Sequence, residues 1–381
     1  MIYLDSAATT MQKPPSVARA TAYAMGHMAS PGRGSHHPAA LAADTAFACR
    51  QAAASLFGVE NPEQVVFTMN ATHGLNLAIK SLIRPGDTVL ISGYEHNAVT
   101  RPIHCMQDVH IKVASGPLFC PEQMFRRFEE LLTDEVRAVI CTHVSNVFGY
   151  ILPVEQIAAL CRERGIPFIL DASQSAGCLR VRMDELGASF IAMPGHKGLY
   201  GPQGTGLLLC GAETRPLLEG GTGSLSALQK MPDFLPDRLE AGTHNIAGIA
   251  GLLEGIRYVA RTGTEKIFAY ETQLTRCTAQ ALSRIPKVTV YADREGTKQA
   301  GVLSFRIQGM DCEEIGAALG EAGIAVRAGL HCAPLAHRSA GTLETGTIRA
   351  SFSAFNTFCE TEHFANAVRR IAGHTENTGR C

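Results

Sequence analysis

Phe190-Ile-Ala-Met-Pro-Gly-His-Lys-Gly-Leu-Tyr-Gly-Pro-Gln-Gly-Thr-Gly206 is an apolar run that breaks at Pro194-Gly195 and then presents His196 and Lys197 in a glycine-dense turn. Gly206-Leu-Leu-Leu-Cys210 reads as the next strand. Lysine is normally placed where its ammonium reaches water. Two readings fit. Lys197 is an activated amine that forms a Schiff base with a carbonyl compound, the small neighbours leaving room for something bulky against the backbone. Alternatively, it is a surface lysine at a hairpin. Taken alone the stretch favours the hairpin, because glycine-rich turns are common.

Working outward, apolar strands alternate with helical spacing. Strands are expected at 64–68, 88–92, 111–114, 138–142, 167–171, 189–193 and 206–210, with helices over 73–83, 121–132 and 154–164 between them. Ahead of them, Pro14-Pro15 opens a helix and a long alanine-rich helix runs to about Phe57. Continuous apolar strands separated by helices imply a mainly parallel sheet covered on both faces. Sites on such sheets form at the carboxyl ends of the strands. Asn70 to Thr72, Glu95-His96, His143 to Asn146, Asp171 to Gln174 and His196-Lys197 all fall there. After about residue 255 the pattern changes to a long helix through 252–259, then strands at 287–291, 302–306, 324–327 and 347–353, and a helix over 360–371. This predicts a smaller α+β domain, with a polar, frayed tail from Gly373. The expected division is 16–255 for the large domain, and 1–15 with 256–381 for the small one.

The 381 residues leave room for a large core. Hydrophobic residues make up 46% and charged residues 18%, with a formal net charge of −1, so no basic run points to nucleic acid or a membrane surface. The 12 cysteines are scattered, with no Cys-x-x-Cys pair or zinc spacing, which predicts free thiols, no metal and a reducing compartment. No basic segment followed by a long apolar one opens the chain, and no apolar run reaches transmembrane length. The cytoplasm is expected.

Several residues have a chemical and a plain reading side by side. Asp171 ends a buried strand, where an unpaired acid costs several kcal/mol, roughly. It either meets a cation such as a protonated pyridine nitrogen or caps a helix. His96 stacks on a flat cofactor or sits in a surface loop. Thr72 and the neighbouring backbone N–H groups, including that of Ala71, form a phosphate site at a helix start, or Thr72 is only a cap. Cys332 follows His331 with Arg327 nearby, a setting for a thiolate, or is one more inert thiol. Arg349, inside an apolar run, holds a substrate carboxylate or a structural ion pair.

Together and in this order, these residues resemble the class V aminotransferase-fold enzymes, and within them the cysteine desulfurases of group II (Suf-type) and the selenocysteine lyases. The likeness runs from Tyr3-Leu-Asp-Ser-Ala-Ala8 to about Ile371. Its most specific pieces are Thr142-His-Val-Ser-Asn146, Asp171-Ala-Ser-Gln174, Gly195-His-Lys-Gly-Leu-Tyr-Gly-Pro202, Glu240-Ala-Gly-Thr243 and Arg327-Ala-Gly-Leu-His-Cys332. The resemblance implies the fold type I of pyridoxal 5'-phosphate (PLP) dependent transferases, with a seven-stranded, mainly parallel sheet in the large domain. It implies that Lys197 anchors PLP covalently and shuttles protons, that Asp171 pairs with the pyridine nitrogen, and that Gln174 reaches the phenolic oxygen. His96 stacks on the ring as acid or base. Ala71, Thr72 and His196 hold the phosphate. Thr243 reaches the phosphate of a neighbouring subunit, which implies a homodimer. Asn146 and Arg349 bind the amino acid, Arg33 and His36 lie near the site mouth, and Cys332 attacks sulfur and carries a persulfide.

The function so implied is conversion of L-cysteine to L-alanine, with sulfur passed from Cys332 to an acceptor protein or a small thiol. Selenocysteine lyase, a PLP-dependent C–S β-lyase and a non-catalytic assembly partner are the rivals. Glycine at 329 is expected to let the thiol move. Departures from the family pattern cluster at the site mouth. Pro194 stands where a hydroxyl is usual and His73 where Glu is common. His337, Arg338 and Glu344 occupy a segment that is usually more apolar, and 220–237 is shorter than in the Suf-type group.

Overall fold

The computed structural model describes residues 1–32 and 34–374. The tail expected to fray lies outside the described residues from 375 onward. The chain opens with β1 (Ile2–Tyr3), then α1 (Pro15–His27) with a proline in its first turn, and α2 (His37–Phe57). His36 caps α2 and left-handed Gly58, at φ 67°, ends it. Next come β2 (Val65–Thr68), α3 (Ala71–Leu82), β3 (Thr88–Ser92), α4 (Asn97–His104) and β4 (His110–Ala114). The series continues with α5 (Pro121–Leu131), β5 (Val136–Thr142), α6 (Val154–Glu163) and β6 (Phe168–Asp171). It closes with α7 (Met183–Leu186), β7 (Phe190–Pro194) and β8 (Gly206–Cys210).

These strands form one seven-stranded sheet in the order β2-β8-β7-β6-β5-β3-β4. Pairings from β7 to β4 are parallel, and β8 runs antiparallel to both neighbours. Successive residues alternate between two cores: Val139, Cys141, Phe168, Leu170 and Ile191 face one, Ile140, Ile169, Phe190 and Ala192 the other. That alternation with both faces buried explains why the strands read as unbroken apolar runs. The winding reverses at β3, whose neighbours are β4 and β5, so a crevice opens at the carboxyl ends there.

The rest consists of α8 (Ile246–Thr262), α9 (Thr264–Leu282), β9 (Val288–Tyr291), β10 (Val302–Ile307), α10 (Cys312–Glu321) and β11 (Ile324–Ala325). Then follow β12 (Arg327–Gly329), α11 (Pro334–Ser339), β13 (Thr347–Ser351) and α12 (Phe358–His374). An antiparallel sheet in the order β12-β13-β10-β9 packs its own core with α9, α10 and α12. β1 pairs with β11, so the first residues of the chain join this second sheet system.

The differences from expectation have local causes. The long helix through 252–259 is two helices, broken at Gly263 with φ 88°. The strand expected at 324–327 is two short ones that pair with different partners, β1 and β13. α4 and α11 were not anticipated, since each is under nine residues long and each contains a proline.

Candidate active site

Lys197 sits just past β7. Gly195 N–H donates to Thr205 C=O at 2.8 Å, and Gly201 N–H donates back to Gly195 C=O at 2.7 Å. The glycines serve this self-packing. A Cβ on Gly195 would lie 2.2 Å from Thr205 Oγ1, and one on Gly198 2.4 Å from Ala176 C=O. The space expected for a ligand at these positions is therefore filled by the chain's own atoms, the Thr205 side chain at Gly195 and the Ala176 backbone at Gly198. The lysine side chain instead lines a cavity of about 100 Å³, shared with Thr72, His96, Asn146, Asp171 and His196. Burial lowers the Lys197 pKa to about 8, partly offset by Asp171, while Arg349 and Arg327 add to the lowering. A hairpin lysine in water would not shift this way.

Asp171 is 2% exposed and lines the same cavity. Its Oδ1 accepts from Ser173 N–H at 2.9 Å. No helix follows, so the capping alternative reduces to a local turn. Among the described residues no cation lies within salt-bridge reach of it. His96 caps α4: its Nδ1 accepts from Ala98 N–H at 3.0 Å, which assigns the proton to Nε2 in the neutral ring. Burial lowers its pKa, Asp171 opposing and Lys197 assisting.

At the start of α3, Asn70 Oδ1 accepts from His73 N–H at 2.9 Å. The Ala71 and Thr72 N–H groups keep no protein partner among the described residues and line the cavity. Thr72 is thus not the cap; Asn70 is. His196 stands beside them with Nδ1 3.0 Å from Thr9 Oγ1, its pKa lowered to about 4 by burial, with Lys197 and Lys13 adding. Pro194 supplies no hydroxyl, and nearby Thr205 Oγ1 donates to Pro202 C=O at 2.6 Å instead. Gln174 Nε2 donates to Ala7 C=O at 3.0 Å.

PLP fits these residues. Two open N–H groups at a helix start suit a phosphate. A buried carboxylate without a cation suits a pyridinium, and an amine near pKa 8 suits an aldehyde.

Arg349, buried on β13, donates to Asp5 Oδ1 at 2.9 Å and to Asn146 C=O at 3.0 Å, while its Nε is buried without a partner. The structural ion pair expected as the alternative is therefore present, with one donor left over. Asp5 also holds Arg327, at 3.1 Å.

Cys332 is exposed at the start of the loop into α11. His331 and Cys332 are both left-handed, at φ 50° and 56°, an uncommon conformation for residues with side chains. Their carbonyls are pinned: Asn146 Nδ2 donates to His331 C=O at 2.8 Å, and Asn97 N–H to Cys332 C=O at 2.7 Å. Asn97 follows His96, so the cysteine is tied to the rim of the cavity. Two expectations change. The loop is braced rather than freed by Gly329, and His331 does not favour a thiolate. The His331 ring turns inward, Nε2 lying 3.1 Å from Thr347 C=O, and burial drives its pKa to about 2, so it carries no charge.

The remaining expected residues lie elsewhere. Thr243 lines a separate surface pocket with Met69, His73 and Leu218. Its loop is anchored by buried Glu240, which pairs with Arg50 at 2.6 Å and accepts from Phe67 N–H at 2.6 Å. His36 is exposed at the head of α2, and Arg33 lies outside the described residues.

Sequence reasoning missed Asp5, and placed Glu95 at a strand end without giving it a role. Asp5 meets Arg349 across 344 residues, a distance no motif spans. Glu95 is fully buried, accepts from Thr142 N–H at 2.7 Å and from Ser92, and burial raises its pKa to about 8. An acid beside the candidate His96 was the available signal. No residues among those described cluster as a metal site, and no helix among them is long and apolar enough to cross a membrane.

Comparison with known proteins agrees with this geometry. Residues 2–364 match the class-V aminotransferase family. The chain is 36% identical over 397 residues to a probable cysteine desulfurase of Mycolicibacterium paratuberculosis, covering 100% of this chain and 56% of that protein. It is 34% identical to one from Methanothermobacter thermautotrophicus, covering 98% and 95%. The chain thus spans little more than half of the first relative and nearly all of the second. A cysteine desulfurase from Thermococcus onnurineus superposes with TM-score 0.88 at 30% identity, over 98% of this chain and 95% of that one. The cysteine desulfurase CsdA of Escherichia coli gives 0.83 at 27%, over 97% and 94%. On sequence, fold and the contents of its cavity, the chain belongs to the class-V aminotransferase family of PLP-dependent proteins, alongside the cysteine desulfurases.

Proposed function

We propose that the protein is a PLP-dependent cysteine desulfurase that converts L-cysteine to L-alanine and leaves the sulfur on Cys332. One observation carries this reading: the Cys332 carbonyl is bonded to the residue after His96, at the edge of the cavity that holds Lys197 and Asp171. A C–S lyase needs no cysteine placed there.

When bound, PLP withdraws electrons from the substrate's Cα and makes its sulfur open to nucleophilic attack. Lys197 Nζ anchors the cofactor and, with its lowered pKa, takes and returns the Cα proton near neutral pH. Asp171 keeps the pyridine nitrogen protonated, and neutral His96 presents its ring and Nε2–H. Gln174 would serve the phenolic oxygen of the bound cofactor. Ala71, Thr72 and His196 hold the phosphate by hydrogen bonds, since His196 is uncharged. Arg349 takes the substrate carboxylate beside Asn146. The Cys332 sulfur, giving up its proton, bonds to the substrate sulfur. The C–S bond breaks, its electron pair stays on carbon, and a proton there completes alanine.

We further assign 16–255 to a cofactor-binding domain, and 1–15 with 256–381 to the domain carrying Cys332; the β1–β11 pairing supports the placement of the first residues. The position of Thr243 outside the cavity supports a homodimer in which it serves the neighbour's phosphate. Free thiols at every described cysteine support a cytoplasmic setting. The acceptor is a protein or small thiol, and the subgroup we assign is the Suf-type and selenocysteine lyase-like one.

The test is product analysis of the PLP-loaded protein with L-cysteine and a thiol reductant. Equal amounts of alanine and sulfide are expected, and Cys332→Ser should end alanine formation while keeping the bound cofactor's colour. Pyruvate in place of alanine would overturn the reading. Parallel turnover of L-selenocysteine measures the preference between the two chalcogens.

A further inference from the structure

The turn between β3 and α4, residues 93–96, follows the strand at which the sheet's winding reverses. His96 closes this turn and lines the Lys197 cavity, and the next residue, Asn97, holds the Cys332 carbonyl through its N–H. The turn is pinned from inside by Glu95, which is 0% exposed. Glu95 Oε1 accepts from Thr142 N–H at 2.7 Å and from the Ser92 hydroxyl. Thr142 is the last residue of β5, lines the same cavity and stands opposite Asp171 in the β5–β6 register. One buried acid thus joins the turn that carries His96 and Asn97 to the strand beside Asp171.

The two oxygens of this acid have unequal surroundings. Both hydrogen bonds go to Oε1, while Oε2 is buried without a partner. Among the described residues no cation lies within salt-bridge distance of either oxygen, and Asp171 is a nearby like charge. A carboxylate here would keep an anionic oxygen dry and bare next to a second acid, which is strongly unfavourable. A neutral carboxyl fits better, its carbonyl oxygen accepting both bonds and its hydroxyl oxygen none. Burial is the main cause that raises its pKa to about 8; the Ser92 and Thr142 bonds oppose it, and Asp171 adds to it.

We propose that Glu95 is a positioning residue that works uncharged: its length fixes His96 at the cofactor site and Asn97 against Cys332, and it adds no second negative charge beside Asp171. The inference rests on the assignment of His96 and Asp171 to the PLP site. Asp171 is then the one acid whose charge faces the pyridine nitrogen from that end of the sheet. The same clamp serves the stacking ring and the tether of the cysteine loop, because His96 and Asn97 are consecutive. What the clamp requires is reach to Thr142 N–H, and a neutral group of the same length supplies that equally well.

Two substitutions separate length from charge. Glu95→Gln keeps the length and removes the ionisable group, whereas Glu95→Asp keeps the acid and is one methylene short. In PLP-loaded protein near pH 7, Glu95→Gln should stay within about twofold of wild type in alanine release and in PLP dissociation constant. The visible circular dichroism of its bound cofactor, which reports how the ring is packed, should be unchanged. Glu95→Asp should lose about tenfold or more in alanine release. It should also weaken that circular dichroism and speed amide exchange at Asn97 by about tenfold or more. The reverse order, with Asp active and Gln impaired, would show that the charge matters and overturns the proposal. Two variants that both match wild type, or fail alike, overturn it too. The infrared difference spectrum, wild type minus Glu95→Gln, should contain the C=O band of a protonated carboxyl, and a carboxylate band in its place refutes the neutral state. The dichroism, exchange and infrared readouts are independent of the substrate's fate. Pyruvate in place of alanine would therefore sink the desulfurase reading and leave this inference to be decided by them.

Discussion

The Lys197 turn and the Cys332 loop each bring one nucleophile to one cavity, but they are built in opposite ways. The turn packs against itself through missing side chains, and its lysine is tuned by burial. The Cys332 loop keeps its thiol exposed and is held from outside, by an asparagine side chain and a helix-start N–H, in a backbone conformation that bulky residues avoid. One site is thus shaped by desolvation within a single sheet. The other is shaped by hydrogen bonds that join two sheets. Substitutions should therefore separate chemistry at the lysine from positioning at the cysteine.

The largest effect is expected at the lysine. Lys197→Ala should remove the cofactor's visible absorbance and lower turnover by about 10³-fold or more. Survival of either would break the assignment. Next comes the support of the lysine side of the molecule. Glu240→Ala strips Arg50 of its buried partner and should destabilise the fold by about 3–5 kcal/mol, measured by urea unfolding. Hydrogen exchange should rise around β2 and the Thr243 loop rather than at the Cys332 loop. A spread to both would blur the distinction between the two regions.

The pH dependence sharpens it further. Lys197 has a folded pKa near 8 against an ordinary value of 10.5, so in the apoprotein the unfolded chain holds the extra proton between these values. Stability relative to Lys197→Met should therefore rise as pH climbs from about 8 to about 10.5, by up to ~3 kcal/mol, and stay level below pH 8. A flat difference would mean that the amine is not desolvated. Cys332→Ser should show no such slope. The smallest effect is expected for Asn146→Ala, which frees the His331 carbonyl. A loss of about 1 kcal/mol in stability should come with faster exchange at 330–333 and about a tenfold fall in alanine release, with the cofactor spectrum unchanged.

Much of the site was legible because parallel strands deliver their ends to one edge. Once the apolar runs at 138–142, 167–171 and 189–193 were read as neighbouring strands, Asn146, Asp171 and Lys197 had to converge. The local reasons were less legible. Thr72 looked like a cap, yet Asn70 takes that role, and this leaves the Ala71 and Thr72 N–H groups open. His331 looked like a cation beside Cys332, yet its ring is turned away and neutral. Gly329 suggested mobility, and the carbonyls of the loop's strained residues, His331 and Cys332, turned out to be tied.

By itself the chain's order of residues determined the alternation of strands and helices, the covered parallel sheet and the set of groups that meet at its edge. Those follow from short-range periodicity and from the geometry of βα units. Tertiary structure alone decided that Asp5 would hold Arg349, that Asn146 and Asn97 would brace Cys332, and that Lys197 would lose its water. These depend on atoms hundreds of residues apart and on solvent exclusion, which exist only once the two sheets have packed together.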